Sequence, residues 1–143
     1  MQQRIVHPIG PSELEDYGLL LQTYRTLEAI TEGDAVYLNA SGYLGRARAN
    51  SSTTMHAIGV AHRAIASGIQ GRVVTHGPFR TSGYNFSGFI GRNAYVSPDT
   101  VGAISTTPPT SSGQIVQHIG FLSDGSLLYV SIGTSFQRGG ATP

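Results

Sequence analysis

An internal repeat constrains this chain more than any other feature of its sequence. GDAVYLNASGYLGRARANSSTTMHAIGVAHRAIASGIQGRVVTHG lies over GRNAYVSPDTVGAISTTPPTSSGQIVQHIGFLSDGSLLYVSIG at a nearly constant offset. Gly33 falls on Gly91, Tyr37 on Tyr95, Gly42 on Gly102, Ile58-Gly59 on Ile119-Gly120, and RVVTHG on LYVSIG. Each copy reads as strand, glycine turn, strand, uncharged polar loop, strand ending in Ile-Gly, turn, strand. Such a unit, roughly 45 residues long, is near the lower limit for folding alone without disulfides or metals. With no cysteine in the chain, two modules packed face to face over one shared core are expected. Alternation along the strands predicts that Tyr37, Ile58, Val60, Val74, Tyr95, Ile104, Ile119, Leu128 and Val130 point into that core.

Composition agrees with many short strands. Of the 143 residues, 12% are charged, and there are 19 Gly and 7 Pro. Turn signals recur every eight to twelve residues or so, the pattern of a sandwich or barrel. The expected fold is therefore all-β: a small sandwich or barrel, jelly-roll-like, built from two similar modules, with an extended N-terminal arm and at most one short helix. Residues 1–30 form the arm and lead-in, and 31–136 a single β domain with modules at 31–77 and 89–133. Residues 137–143 are expected to be a flexible tail. Ser12 and Glu15 form a capping-box pattern that predicts a helical turn over 13–18, and a strand is expected near 21–28. The glycine- and aromatic-rich stretch 77–90 is expected to be a loop packing its own rings.

The nine basic residues are all Arg, and net charge is +1, which does not suggest a nucleic-acid-binding field. Six of the eight acids fall within residues 1–34, so the N-terminal part is acidic and the remainder basic. Docking of one on the other, within a chain or between copies, is one expectation; scattered solvated charges are the plainer one. No stretch approaches the roughly 20 apolar residues of a membrane span. The N-terminus lacks a signal peptide's apolar core, so assembly in a cytoplasm and no membrane partner are expected.

No motif here carries chemistry. His56 and His62 are six apart in sequence, about 20 Å along a strand, too far to share one metal. The serines and threonines sit in turn-like strings without a nucleophile elbow. Asp99 follows Pro98 and Asp124 precedes Gly125, as ordinary turn formers do. Phosphate-binding glycine motifs are missing too. The expectation is a protein that is not an enzyme, with no catalytic residues, cofactor or metal. Arg80 and Arg92 among the aromatics of 79–89 offer a rival reading, stacking on sugars or bases.

The second module resembles one found in structural proteins of tailed bacteriophages. Its carriers are Tyr95, Ser97, Thr100, Gly102, Ile104, Thr106, Thr107, Pro109, Gly113, Val116, Gln117, Gly120, Leu127, Leu128 and Ile132. The first module is similar to capsid decoration (cement) proteins in its GDAVY and IGVA stretches. The resemblance covers about residues 30–133. It implies a virion protein on the capsid surface that bridges neighbouring major capsid subunits and stabilises the head, acting as a dimer or trimer. The alternative it leaves is a tail-fibre, head-fibre or baseplate subunit that takes part in attachment to host glycans.

Two segments are the candidate contacts. The loop carrying Thr107, Pro108 and Pro109 is uncharged, so it can be covered without stripping water from charges. The arm residues Arg4, Ile5 and Val6 are expected to add as a strand to a capsid sheet edge.

Overall fold

The computed structural model describes residues 18–139; all but the last residue of the helical turn expected at 13–18, and the arm residues Arg4, Ile5 and Val6, lie outside them. The described chain is all-β: ten strands, one 3-10 turn at Ser52–Thr54 and no α-helix. No helix among the described residues is long and apolar enough to cross a membrane.

The strands are β1 (Leu20–Arg25), β2 (Ala35–Leu38), β3 (Leu44–Arg46), β4 (Ala57–Ala61) and β5 (Gln70–Arg80). They continue as β6 (Asn93–Val96), β7 (Ile104–Ser105), β8 (Ile115–Asp124), β9 (Leu127–Ser131) and β10 (Ser135–Gln137). Their order is β3-β2-β4-β5-β9-β8-β6-β7, with β1 added to β5 and β10 to β8. All strand pairs are antiparallel. The order is a palindrome of connectivity: β2 to β5 pair among themselves as β6 to β9 do, and β5 joins the halves through β9.

The likeness extends to single hydrogen bonds. Gly33 N–H donates to Ala61 O (2.9 Å), and Gly91 N–H to Leu122 O (2.7 Å). In the return direction, Ala61 N–H donates to Asp34 O and Leu122 N–H to Arg92 O, both at 2.9 Å. Each half also carries a bulge at the Ile-Gly pair, opposite Val36/Tyr37 in one and Ala94/Tyr95 in the other. The reason glycine follows isoleucine is the same twice. A Cβ on Gly59 would strike Val74 O, and one on Gly120 would strike Tyr129 O.

Those two contacts also correct the sequence alignment of the last strand. Val74 corresponds to Tyr129 and Val73 to Leu128, one residue away from the overlay of RVVTHG on LYVSIG. The second half replaces the loop between β4 and β5 by a tight turn at Gly125-Ser126, and a sequence overlay does not locate the resulting gap.

Two ends of the sheet are laced together by backbone bonds beyond β3. Gly102 N–H donates to Ala47 O (2.7 Å), Ala49 N–H to Ser97 O (2.9 Å), and Ile115 N–H to Ala49 O (2.9 Å). This curls the sheet into a barrel-like form around a core that includes Val60, Val74, Phe79, Ile119, Leu128 and Val130. Gln117 ties the halves from within: its amide accepts from Ala57 N–H (2.8 Å) and donates to Ala57 O (2.9 Å). A smaller cluster of Ile30, Val36, Leu44, Ala61, Ile65 and Val73 lies on the other side of the first module.

Several expectations change. Tyr37 and Ile104 pack on the main core as expected, but Ile58 joins the smaller cluster. Tyr95 lies outside both clusters, with its ring edge-on to His118 at 5.9 Å. Residues 77–80, expected in a loop, are the second half of β5. A bulge opposite Leu20/Leu21 reverses the alternation there, so Val74 and Phe79 both face inward despite their odd spacing. At the C-terminus, β10 was not anticipated, and chain bonding continues beyond residue 136: Arg138 N–H donates to Gln114 O at 2.7 Å.

Candidate interaction surfaces

The loop singled out from sequence is built on the rim beside β7. Ser105 Oγ donates to Thr107 O (2.8 Å) and accepts from Thr107 N–H (3.1 Å), which folds the loop back on itself. Thr107 is exposed, Pro108 half-buried and Pro109 buried. Pro109 O accepts from Arg138 Nε at 2.8 Å, so the loop is held from below by the end of the chain. Around it lies a hollow of about 240 Å3 formed by Pro98, Asp99, Thr107, Pro109, Ser111 and Gln114. Exposed Thr107, Thr110 and Ser111 line it on the side of the uncharged segment 107–112, and exposed Asp99 lines it too.

A second hollow of about 340 Å3 opens between the modules, lined by Glu32, Asp34, Tyr84, Asn85, Phe86 and Ile104, among others. Asp34 is the charged group at its base. Its carboxylate accepts from Thr31 N–H (2.9 Å) and Arg46 Nε (3.0 Å). Burial nevertheless raises its pKa above the usual 3.8, because lost hydration outweighs those two bonds and the guanidinium. Tyr84 closes the wall by donating its hydroxyl to Gly33 O (2.9 Å). Its pKa is pushed far up by burial first and by Asp34 and Glu32 second. Asp34 therefore acts as a structural tie between the turn at Thr31, the first module and Arg46.

The aromatic stretch 79–89 divides. Phe79, Tyr84 and Phe86 form a chain of ring contacts at 6.0 and 5.3 Å that packs on the core. Phe89 remains outside, with Arg92 5.6 Å above its ring. The rings of this stretch are thus largely committed to the fold, which leaves little of the sugar-stacking platform that the rival reading requires.

His56 and His62 stand in different surroundings. His62 is buried with its ring 6.1 Å from Phe79, whereas His56 is exposed and hydrogen-bonded to Ser135. Among the described residues, no three His, Asp or Glu side chains are grouped so as to hold a metal.

The largest feature that the sequence reading missed is an aromatic band on the outside of β8, β9 and β5. Phe121 and Tyr129 are cross-strand partners with rings stacked at 5.3 Å and 12°. His76 meets Tyr129 edge-on at 5.6 Å, and Tyr95 with His118 extends the band onto β6. Phe121 is 41% exposed. The signal was present in sequence, since Tyr95, His118, Phe121 and Tyr129 all lie on strands. The bulge at Ile119-Gly120 puts residues 118 and 121 on one face, which simple alternation forbids.

Comparison with known proteins adds no family: no protein-family model and no curated protein matches this chain.

Proposed function

We propose that this chain is a structural protein of a tailed bacteriophage virion, a decoration protein that sits on the outside of the capsid and bridges major capsid subunits. The observation that carries the reading is the uncharged rim at Thr107–Ser112, standing beside the edge strand β7 and fixed from below by Arg138. A surface of hydroxyls can be buried against another protein that supplies hydrogen-bond partners, without the far larger cost of stripping water from charges. Many copies, each weakly held, multiply such contacts by avidity.

The resemblance noted in sequence supports the reading and gains a physical meaning. Its carriers are architectural: Gly120 makes room for Tyr129 O, Gln117 clamps Ala57, and Ser97 Oγ accepts from Asp99 and Thr100 N–H at 3.1 and 3.2 Å. A motif of this kind preserves a shape, and a shape is what a bridging protein needs. Partner and self-association follow from the same reading: major capsid protein on one side, copies of this chain on the other.

The test uses phage shells that lack this protein. Purified chain added back should bind to a saturating copy number that scales with the number of capsid subunits and should raise the shell's melting temperature. Thr107→Arg should abolish binding while leaving the melting temperature of the isolated protein unchanged, because residue 107 is exposed. Binding confined to tails or to one vertex would overturn the capsid reading.

A further inference from the structure

The two modules share one plan but differ in what covers them. Val74 in the first module lies on the main core, whereas its counterpart Tyr129 lies on the outer face. The same holds for Tyr37 and Tyr95, and for Val60 and Phe121. In the first module this face is covered by the second module; in the second module Phe121 and His76 are exposed and Tyr95, His118 and Tyr129 are half-buried.

We propose that residues 1–17 of the same chain cover this face, seating apolar side chains from Ile5 to Leu14 across β9 and β8 beside Phe121 and Tyr129. Three observations point to that occupant. First, the described chain begins at the rim of the face: Gly18 lies against Pro78, and Pro78 is the cross-strand partner of Tyr129. Leu20, next in line, is paired with His76, whose ring touches Tyr129.

Second, length and composition fit. Crossing from β5 to β6 takes three strand spacings, about 14 Å in all at ~4.8 Å each. Residues 1–17 can extend roughly 55 Å at ~3.3 Å per residue. They include Ile5, Val6, Ile9, Leu14 and Tyr17. Third, charge is complementary. Glu13, Glu15 and Asp16 against Arg4 give the segment a net charge of −2, while residues 18–139 carry +3.

A segment tethered at the rim meets the face at an effective concentration in the millimolar range, an advantage that a second copy lacks. The rings also suit a peptide better than a sugar. Phe121 and Tyr129 stack on each other, so each has one face already occupied and less left to lie flat against a pyranose. This seat is separate from the Thr107 rim, so it stands or falls apart from the capsid reading. It gives Arg4, Ile5 and Val6 an intramolecular place instead of a capsid sheet edge.

The test exploits the absence of cysteine. Ile9→Cys in the full chain, carrying a nitroxide spin label, should erase the amide NMR signals of His118, Phe121 and Tyr129 while leaving those of Arg63 and Ala64 intact. The loss should persist on dilution. Adding Phe121→Glu to the labelled chain, which removes the ring and repels the acidic segment, should restore the Tyr129 and His118 signals. A mixture of isotope-labelled chain without nitroxide and unlabelled chain with it should show no loss. Loss in that mixture would mean that a second copy covers the face, and no loss in any sample would mean that nothing from residues 1–17 does; either result overturns the proposal.

Discussion

Val73 and Leu128 hold the same place in the two modules, yet they serve different cores. Leu128 is in the main core, while Val73 belongs to the smaller cluster with Ile30 and Ile65. The other pairs on this face follow the same rule: Leu38 and Leu44 correspond to Val96 and Ile104, Ala61 to Leu122, Ile58 to Ile119. The modules are therefore stacked in series. A layer from residues 24–30 and Ile65 covers the first module, the first module covers the second, and the second ends in the aromatic band. Duplication of a sheet with two apolar-capable faces teaches how one core becomes two layers without new topology. It also explains why the same strand positions hold Ala35 and Val60 in one copy but Asn93 and Phe121 in the other.

The strongest way to break this equivalence is at the two close approaches. Gly59→Ala and Gly120→Ala each force a Cβ against a carbonyl oxygen of the neighbouring strand, so each should cost about 4 kcal/mol or more. Urea unfolding of both variants checks this, and tolerance of one but not the other would mean that the bulges are not equivalent.

A smaller effect separates the faces. Leu128→Ala should cost about 3 kcal/mol through the cavity it leaves in the main core, whereas Tyr129→Ala, next to it on β9, should cost about 1 kcal/mol. In the first module the neighbours Val73 and Val74 are both fully buried, so alanine at either should cost about 2 kcal/mol. Equal losses at Leu128 and Tyr129 would mean that the outer face is packed as tightly as the main core.

The subtlest difference is electrostatic. Asp34 and Arg92 are equivalent in the turn geometry, but Asp34 is enclosed and Arg92 exposed. Because burial raises the Asp34 pKa, the native state holds that proton more tightly than the unfolded chain does. The contribution of this carboxyl to stability therefore rises as pH falls through its native value towards 3.8 and is flat below that. The urea midpoint of the parent minus that of Asp34→Asn should increase over that window. A decrease would mean that the Arg46 pair outweighs the burial.

Much of the fold was legible in the residues. Glycine turns, alternating apolar positions and the repeated Ile-Gly pair located most strands, because those signals act between near neighbours. The reading failed where strands were irregular. Residues 77–80 looked like loop because Gly77 and Pro78 are poor strand formers, yet pairing with β9 keeps them in the sheet. Tyr95 looked like core because an aromatic on a strand usually is. For the contact surfaces, Thr107 could be read directly from an uncharged loop, but the bond that anchors Pro109 O comes from Arg138, 29 residues along the chain.

The sequence by itself determined that this protein is a duplicated β unit, since steric demands on glycine and the two-residue period of a strand are local. Only the tertiary structure decided which face of each unit is buried. A single bulge reverses inside and outside along a strand, and which side then meets water depends on the partner sheet that folding brings against it.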